Sequence, residues 1–268
     1  MTASLSAEAC LTNCSIEFMN KKTQLWKGLS AAFALLLWQL LAMKIGMNIL
    51  LASPVEVLKR LAGIWKETDF WSAVFFSFGR ISLGFLLAFA VGIVLGILAG
   101  RLKFLEYFLF PYVTVIKTVP IASFIILCLL WMNFNQLTVL IAFLIAFPVI
   151  YTNVLQGIQS ADRKMRELAK LYRVPWQRRL IYMDMPSVKP YLLSACSVAI
   201  GMAWKAGIAA EVIGLVDGSV GEKLYQAKVY FQNADLLCWT ILIILLSVLS
   251  EKIFVFLVKS VFRGVEKL

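Results

Sequence analysis

The sequence predicts an all-α, polytopic membrane protein with about six transmembrane helices and a helix-turn-helix loop on the cytoplasmic side. Composition is the first indication, because 61% of the 268 residues are drawn from AVILMFWYC and 15% are charged. Soluble domains contain about 45–50% apolar and about 25% charged residues. Long uncharged runs, such as residues 81–100, and an uneven distribution of basic residues are the other two indications. Together they exclude a soluble domain, a disordered chain and a disulfide-stabilised scaffold.

Six apolar segments predict the membrane-spanning helices, because a span needs about 20 apolar residues. The run from Thr118 to Ala161 has no charge and is too long for one helix, so it is divided at residues 133–136. The predicted spans are residues 25–46, 71–100, 104–132, 137–158, 187–213 and 236–261.

Basic residues accumulate in alternate loops and predict the orientation. One set of loops carries sixteen Lys and Arg residues, eight of them between Arg163 and Lys189, and the other set carries five. Cytoplasmic loops hold the excess of basic residues, so we expect both termini and residues 159–189 in the cytoplasm. This explains the net charge of +11 without a nucleic-acid partner. It predicts a multi-pass protein of the inner, or cytoplasmic, membrane with lipid around it.

The chain divides into three predicted parts. Residues 1–24 form a loosely ordered cytoplasmic tail, in which Met19 is an alternative start. Residues 25–70 contain the first span and an outer amphipathic helix. Residues 71–262 form the transmembrane domain, including the loop at 159–189.

The outer amphipathic helix begins at Ser53-Pro54-Val55-Glu56, with serine as its cap and proline in its first turn. Its apolar face repeats at helical spacing and consists of Val55, Leu58, Leu61 and Trp65. We expect it to lie on the outer surface. Whether it makes a functional contact or is a plain linker stays open.

The second span has a small residue at every fourth position. These residues are Gly84, Ala88, Gly92, Gly96 and Gly100. On a helix they form one stripe, which lets another backbone approach closely. We expect the stripe to serve packing within the chain.

The loop at residues 159–189 predicts two short helices joined by a turn. Ser160 is the expected cap of a helix beginning at Ala161, and Val174-Pro175 ends this helix because proline clashes with a continuing one. The corner presents Lys170, Tyr172, Arg173 and Trp176. Aromatic residues and arginine anchor many protein interfaces. The loop is therefore either a docking site for another protein or a basic segment that fixes the topology.

The same loop resembles the cytoplasmic signature of ABC importer permeases, which is Glu-Ala-Ala, three residues, Gly, nine residues, Ile-x-Leu-Pro. Glu167-Leu168-Ala169 takes the first three places, Arg173 the glycine place, Met183 the isoleucine place and Met185-Pro186 the final pair. All spacings match, and four residue types depart. Arg173 is the most important departure, because glycine permits a left-handed turn. Pro175 is expected to supply the break instead.

The resemblance extends over about residues 25–262 and implies a fold like that of the MetI-like permeases. The matching pieces outside the loop are Ser53-Pro54, Val119-Pro120-Ile121-Ala122, Trp131, Phe147-Pro148, Gly157 and residues 204–214. Residues 204–214 and Ser53-Pro54 are similar to the nitrate, sulfonate and taurine branch.

This resemblance implies partners. Two permease copies, expected as a homodimer, form the pathway, two ATP-binding subunits dock on the loop, and an extracytoplasmic binding protein delivers the substrate. ATP and Mg²⁺ are expected on the partner ATPase, because this chain has no Gly-x-x-x-x-Gly-Lys-Ser/Thr motif. Glu167 is expected to pair with Arg178 or Arg179. The implied coupling residues are Glu167, Leu168, Ala169, Lys170, Tyr172, Arg173, Pro175, Trp176 and Pro186.

Charged and helix-bending residues within the spans are candidates for the transport pathway. A lysine at mid-bilayer costs about 2.5–3.5 kcal/mol, so it usually faces protein or water. Basic residues along a pathway suit an anion, and snorkelling or pairing within the chain is the alternative. The candidate pathway or gate residues are Lys117, Pro120, Trp204, Lys205 and Glu211.

The predicted function is that of a permease subunit of an ATP-driven importer for a small anion such as a sulfonate, taurine or nitrate. The alternatives are a thiamine-precursor-like substrate, or a secondary transporter or channel without an ATPase. A membrane enzyme is disfavoured, since the chain has no histidine and no clustered carboxylates. No catalytic residue, cofactor or metal is expected in this chain. Cys10 and Cys14 have no partner ligands, and Cys128, Cys196 and Cys238 are expected as small buried hydrophobic residues.

Overall fold

The computed structural model describes Trp26 and residues 28–30, 32–44 and 51–265 of the chain. Within these ranges the side chains at positions 135, 163, 166, 170, 176, 177, 180, 181 and 265 are not described. The predicted tail at 1–24, the start at Met19, and Cys10 and Cys14 lie outside the described residues.

Helices dominate the described residues, and no β-strand occurs among them, as the sequence predicts. In chain order they are α1 (Gly28–Lys44), α2 (Pro54–Ile64), α3 (Phe70–Arg101), α4 (Lys103–Thr118), α5 (Ile121–Leu129), α6 (Phe134–Gln159), α7 (Arg163–Leu171), α8 (Trp176–Arg179), α9 (Met185–Gly214), α10 (Val220–Val229) and α11 (Asn233–Val265).

Each predicted span corresponds to one helix or a pair of helices, namely α1, α3, α4 with α5, α6, α9 and α11. Among the described helices, α3, α6, α9 and α11 are each long and apolar enough to cross a membrane. The bent pair α4 and α5 makes a fifth span if it is counted as one. α1 is a shorter apolar helix.

The prediction of one unbroken helix over residues 104–132 is wrong. α4 and α5 are bent by 97° relative to each other. Val119 and Pro120 between them have extended backbone, with ψ angles of 129° and 123°. Pro120 has no backbone N–H and disfavours helical geometry at the residue before it, which explains why the helix stops here.

α6 lies at the centre of the bundle and packs along both α3 and α9. A Cβ added at Gly92 would lie 2.9 Å from Ile150 Cγ2, and one added at Gly96 would lie 2.8 Å from Val154 Cβ. Both separations are too short for two carbon atoms, so the small-residue stripe lets α3 and α6 approach closely. The prediction that the stripe serves packing within the chain is confirmed.

α2 begins with the predicted cap. The Ser53 hydroxyl accepts a hydrogen bond from the Glu56 N–H at 3.3 Å, and the Glu56 carboxylate accepts one from the Ser53 N–H at 3.2 Å. These two bonds form a capping box. Val57 and Ile64 are buried against the bundle. On the predicted apolar face, Val55, Leu58 and Trp65 are exposed, and Leu61 is partly buried.

Arg60 joins α2 to α11. Its guanidinium binds the Asp235 carboxylate and also Glu67. The hydrogen bond to Asp235 raises the pKa of Arg60 above its ordinary value. This ion-pair cluster fixes α2 at the end of the bundle where α10 and the start of α11 also lie.

Candidate functional site: the basic hairpin and the membrane cavity

The basic hairpin comprises residues 159–189 and contains α7 and α8. Asp162 caps α7, because its Oδ1 accepts a hydrogen bond from the Lys164 N–H at 2.9 Å. The prediction that Ser160 caps a helix beginning at Ala161 is wrong. Ser160 instead ends α6, where its hydroxyl donates to the Gly157 carbonyl at 2.8 Å. A carboxylate is favoured as the cap because the N-terminus of a helix carries partial positive charge.

α7 ends in a left-handed turn at Arg173, whose φ is 48°. The N–H of Val174 donates to the Ala169 carbonyl at 2.9 Å, which is the six-residue bond of a Schellman motif. Arginine therefore forms the turn for which the resemblance implies glycine. The expectation that Pro175 replaces this turn is wrong, because Pro175 follows it.

The surface of α7 exposes apolar side chains that lie outside the membrane-spanning helices. Leu168 is 48% exposed, and Leu171 and Tyr172 are each 75% exposed. Residues three and four positions apart are neighbours on a helix, so these three side chains form one surface, here called the hairpin patch. An exposed apolar patch bordered by polar residues is typical of a protein interface.

The other predicted coupling residues lie around the hairpin patch. Glu167, Arg173, Pro175 and Pro186 are exposed, and Ala169 is half-buried. The side chains of Lys170 and Trp176 lie outside those that the structure describes. The predicted pairing is not observed, since none of the ion pairs between described side chains joins Glu167 to Arg178 or Arg179.

The sequence analysis missed an ion pair where the hairpin meets the spans, here called the base ion pair. Arg101, at the end of α3, donates from Nη2 to Oδ2 of Asp184 at 2.9 Å. The Asp184 side chain is 5% exposed and that of Arg101 is 31% exposed. Asp184 ends the π-helical segment Leu180–Asp184 that leads into α9. One sequence feature could have pointed to Asp184. It is the single acidic residue between positions 168 and 189.

A cavity of about 280 Å³ lies between α5, α6 and α9. Lys205 of α9 is its charged lining residue; the others are apolar, namely Ile121, Ala122, Ile125, Ile145, Met202, Ala206, Ala209 and Ile213. Lys205 is exposed, and no hydrogen bond or ion pair joins it to another described residue.

Lys117 and Pro120 lie close to this cavity along the chain. The Lys117 side chain is exposed, and its Nζ lies 3.5 Å from Oγ1 of Thr152 on α6. Pro120 directly precedes Ile121, which lines the cavity. The bend at Pro120 therefore positions the α5 wall of the cavity.

Trp204 and Glu211 are buried in the bundle. Trp204 is 2% exposed and lies against Phe78, with ring centroids 6.0 Å apart. Oε2 of Glu211 accepts hydrogen bonds from the Ser77 hydroxyl at 2.7 Å and from the Gly221 N–H at 3.2 Å. Ser219 is the cap of α10, and Gly221 lies in its first turn. The carboxylate therefore accepts a second N–H at this helix end and joins α10 to α3 and α9.

The three cysteines that the structure describes are packing residues. Cys128, Cys196 and Cys238 are free thiols and are buried, which confirms their prediction as small hydrophobic residues. In the described part of the chain, no group of three or more Cys, Asp or Glu side chains is arranged to hold a metal ion.

Comparison with known proteins identifies related transport components. Residues 92–267 match the family described as "Binding-protein-dependent transport system inner membrane component". The chain is 29% identical over 184 residues to a candidate aliphatic sulfonates transport permease protein, SsuC, of Bacillus subtilis (strain 168), covering 68% of this chain and 66% of the relative. It is 30% identical to the nitrate import permease protein NrtB of Synechococcus elongatus, covering 58% and 55%. It is also 30% identical to the bicarbonate transport system permease protein CmpB of Synechocystis sp., covering 61% and 58%.

These matches confirm the resemblance to the nitrate and sulfonate branch. The chain spans 66% of the length of the sulfonate relative and 55% of that of the nitrate relative. The family match includes the basic hairpin, the cavity and the base ion pair. This chain therefore belongs to the family of inner membrane components of binding-protein-dependent transport systems and is a multi-pass protein of the inner membrane.

Proposed function

We propose that this chain is the permease subunit of an ATP-driven ABC importer for a small anion, and that the basic hairpin is the docking site of an ATP-binding subunit. The observation that carries this proposal is the hairpin patch, in which Leu171 and Tyr172 are each 75% exposed outside the membrane-spanning helices. Burial of apolar surface contributes about 25 cal/mol per Å². Covering the hairpin patch with the surface of a partner protein is therefore favourable.

The hairpin is attached to the spans in a way that suits the transmission of movement. α7 follows α6 after a short turn, and the return segment meets α3 through Arg101 and Asp184. When the ATPase subunits close on ATP and Mg²⁺, they displace α7, and the base ion pair carries the displacement to α3 and α9. The proposed coupling residues are those predicted around Glu167 to Trp176, together with Pro186.

The charge distribution supports an orientation with the hairpin and both termini in the cytoplasm. In the proposed complex, two copies of the permease form a homodimer with two ATP-binding subunits. The end that carries α2 and α10 then faces an extracytoplasmic binding protein.

The substrate class is supported by the relatives and by the cavity. The relatives carry the names of sulfonate, nitrate and bicarbonate permeases. We propose that Lys205 and Lys117 line the pathway and that Pro120 sets the bend beside it. Trp204 and Glu211 position α9 through their contacts inside the bundle. A thiamine-precursor-like substrate is the alternative, and binding measurements on the extracytoplasmic partner distinguish the two.

The test is the recovery of an ATPase with the affinity-tagged chain purified from its own cells. The double variant Leu171→Ser, Tyr172→Ser is expected to reduce the recovered ATPase by about tenfold or more, because it removes the centre of the interface. Tyr230→Ser is the matched control, since Tyr230 is 70% exposed next to α10. If the double variant retains the ATPase, the docking assignment is wrong. If the wild-type chain moves solute without ATP, it is a secondary transporter or channel.

A further inference from the structure

We infer that Lys205 and the cavity around it form an anion-binding subsite within the membrane, in which the ammonium group contacts a small monovalent anion during its passage. The inference rests on the proposed function, which supplies the transport of a small anion. It adds the residue and the cavity at which the charge of that anion is recognised.

The depth of Lys205 argues against an incidental surface charge. Lys205 lies nine residues before the end of α9 at Gly214, which is about 13 Å along the helix. That distance exceeds the length of an extended lysine side chain, so the ammonium group does not reach the end of α9 by snorkelling. A lysine in hydrocarbon costs about 2.5–3.5 kcal/mol. The group therefore needs water or a counter-ion in the cavity.

The described residues supply no counter-ion for Lys205. Among the described residues, none forms an ion pair or hydrogen bond with Lys205. The nearest carboxylate along α9 is Glu211, which is fully buried and bound to Ser77 and Gly221. The cavity of about 280 Å³, which the Lys205 side chain lines, has room for a small solute.

A second cation lies further along the same route. Ile145 of α6 lines the Lys205 cavity, and Thr152, whose hydroxyl lies 3.5 Å from the Lys117 ammonium group, is two turns later on α6. Two turns correspond to about 10 Å. In this inference, Lys117 is the next cation for an anion that leaves Lys205 towards the basic hairpin.

The test is a comparison of charged thiol reagents at a cysteine beside Lys205, in membrane vesicles that contain the full-length chain. Ala209 lines the cavity one turn from Lys205 on the same face, so Ala209→Cys places the thiol. The reagents are anionic sulfonatoethyl and cationic trimethylammonioethyl methanethiosulfonate. The chain without the Ala209→Cys substitution measures the background from its five native cysteines.

Attraction by the ammonium group favours the anionic reagent, and Lys205→Gln is expected to lower the anionic-to-cationic rate ratio by about tenfold. Lys205→Arg retains the ratio because it retains the charge. Lys252→Gln is the matched control, since Lys252 is an exposed lysine on another span and does not line this cavity. With Lys205 intact, the ratio also falls as salt is added, which tests the attraction even if the glutamine variant does not fold.

An unchanged ratio in a folded Lys205→Gln chain overturns the inference. If the thiol introduced by Ala209→Cys reacts with neither reagent, the inference is also overturned, because the cavity is then closed to water. The labelling needs neither an ATPase nor an identified solute. If the wild-type chain shows no ATP-dependent transport but its labelling still favours the anionic reagent, the proposed function is wrong and the anion subsite stands.

Discussion

At the scale of the residue, Arg173 forms a left-handed turn that usually requires glycine. Its φ of 48° costs a residue with a Cβ about 1–2 kcal/mol. The bond from the Val174 N–H to the Ala169 carbonyl is formed in spite of this cost. Leu215 after α9 and Phe231 after α10 are also left-handed, with φ of 48° and 55°. These three helix ends are therefore determined by packing and hydrogen bonds more than by local preference.

Arg173→Gly is expected to stabilise the turn relative to Arg173→Ala by about 1 kcal/mol, because glycine adopts positive φ without a Cβ clash. The measurement is hydrogen exchange of the Val174 amide in lipid nanodiscs. Exchange in the glycine variant is expected to be about fivefold slower than in the alanine variant. Equal exchange rates in the two variants would show that the turn carries no conformational strain.

Glu211 gives a second prediction at this scale. Glu211→Ala removes the acceptor of the Ser77 hydroxyl and the Gly221 N–H, and unsatisfied buried groups cost about 1–3 kcal/mol. We expect a lower melting temperature in detergent solution. Gly221→Ala is expected to have a similar effect, because an added Cβ would lie 2.7 Å from the Glu211 carbonyl carbon.

Glu211→Gln is the control for charge, since the amide oxygen still accepts both hydrogen bonds. Its melting temperature is expected to lie well above that of Glu211→Ala. If Glu211→Gln melts as low as Glu211→Ala, then the charge rather than the hydrogen bonds holds α10 in place.

Residue types in the hairpin could be predicted from the sequence, but their partners could not. The spacing of the signature placed Glu167, Arg173 and Pro186 in the loop. The choice of Asp162 over Ser160 as a cap depends on where α6 ends, which is decided by packing. The pairing of Arg101 with Asp184 joins positions 83 residues apart, and no local pattern contains that information.

At the scale of the element, the contact between α3 and α6 depends on the small-residue stripe. A Cβ added at Gly84 would lie 2.8 Å from Ala142 Cβ, and it would also clash with the Val139 carbonyl, whereas one added at Gly79 has no atom within 4 Å. Gly84→Ala is therefore expected to destabilise the bundle by about 1–3 kcal/mol. Gly79→Ala is the matched control on the same helix, and alanine is favoured there by about 1 kcal/mol.

The measurement for this pair is thermal unfolding of the purified variants in one detergent. Gly84→Ala should melt below the wild-type chain and Gly79→Ala at or above it. Similar melting temperatures for the two variants would mean that α3 and α6 separate easily, contrary to the packing described above.

The sequence pattern does not predict which prolines break a helix. Pro120 separates α4 from α5, while Pro148 lies inside an unbroken α6. Both occur in apolar runs, so composition does not distinguish them. α6 packs along α3 and α9, and this packing keeps the helix continuous through Pro148. Pro111 also lies inside an unbroken helix, although α4 is largely exposed, so the break at Pro120 follows from the extended backbone of Val119 before it.

At the scale of the whole molecule, the two ends of the bundle are tied differently. The end with α2 and α10 is held by Arg60 with Asp235 and by the buried carboxylate of Glu211. The end with the basic hairpin is held by Arg101 and Asp184. The first set stabilises α2 and α10, while the second lies between the hairpin patch and the spans. Under the proposed function, movement of the hairpin reaches the spans through this ion pair, which one substitution can weaken.

Asp184→Asn tests this connection in vesicles that contain the chain and the proposed ATPase. The substitution keeps the size of the side chain and removes the charge that holds Arg101, and a hydrogen bond between charged groups contributes about 1.5–3 kcal/mol. ATPase recovery and ATP hydrolysis are expected to persist, because the hairpin patch is unchanged. The ATP-dependent change in the labelling rate of a cysteine at position 209 is expected to fall by about fivefold or more. Lys223→Gln is the control, since it removes an ion pair with Asp69 at the opposite end and should leave both readouts unchanged. If Asp184→Asn retains the full labelling change, the hairpin moves the spans through α6 or the backbone of α9, and the base ion pair contributes to stability alone.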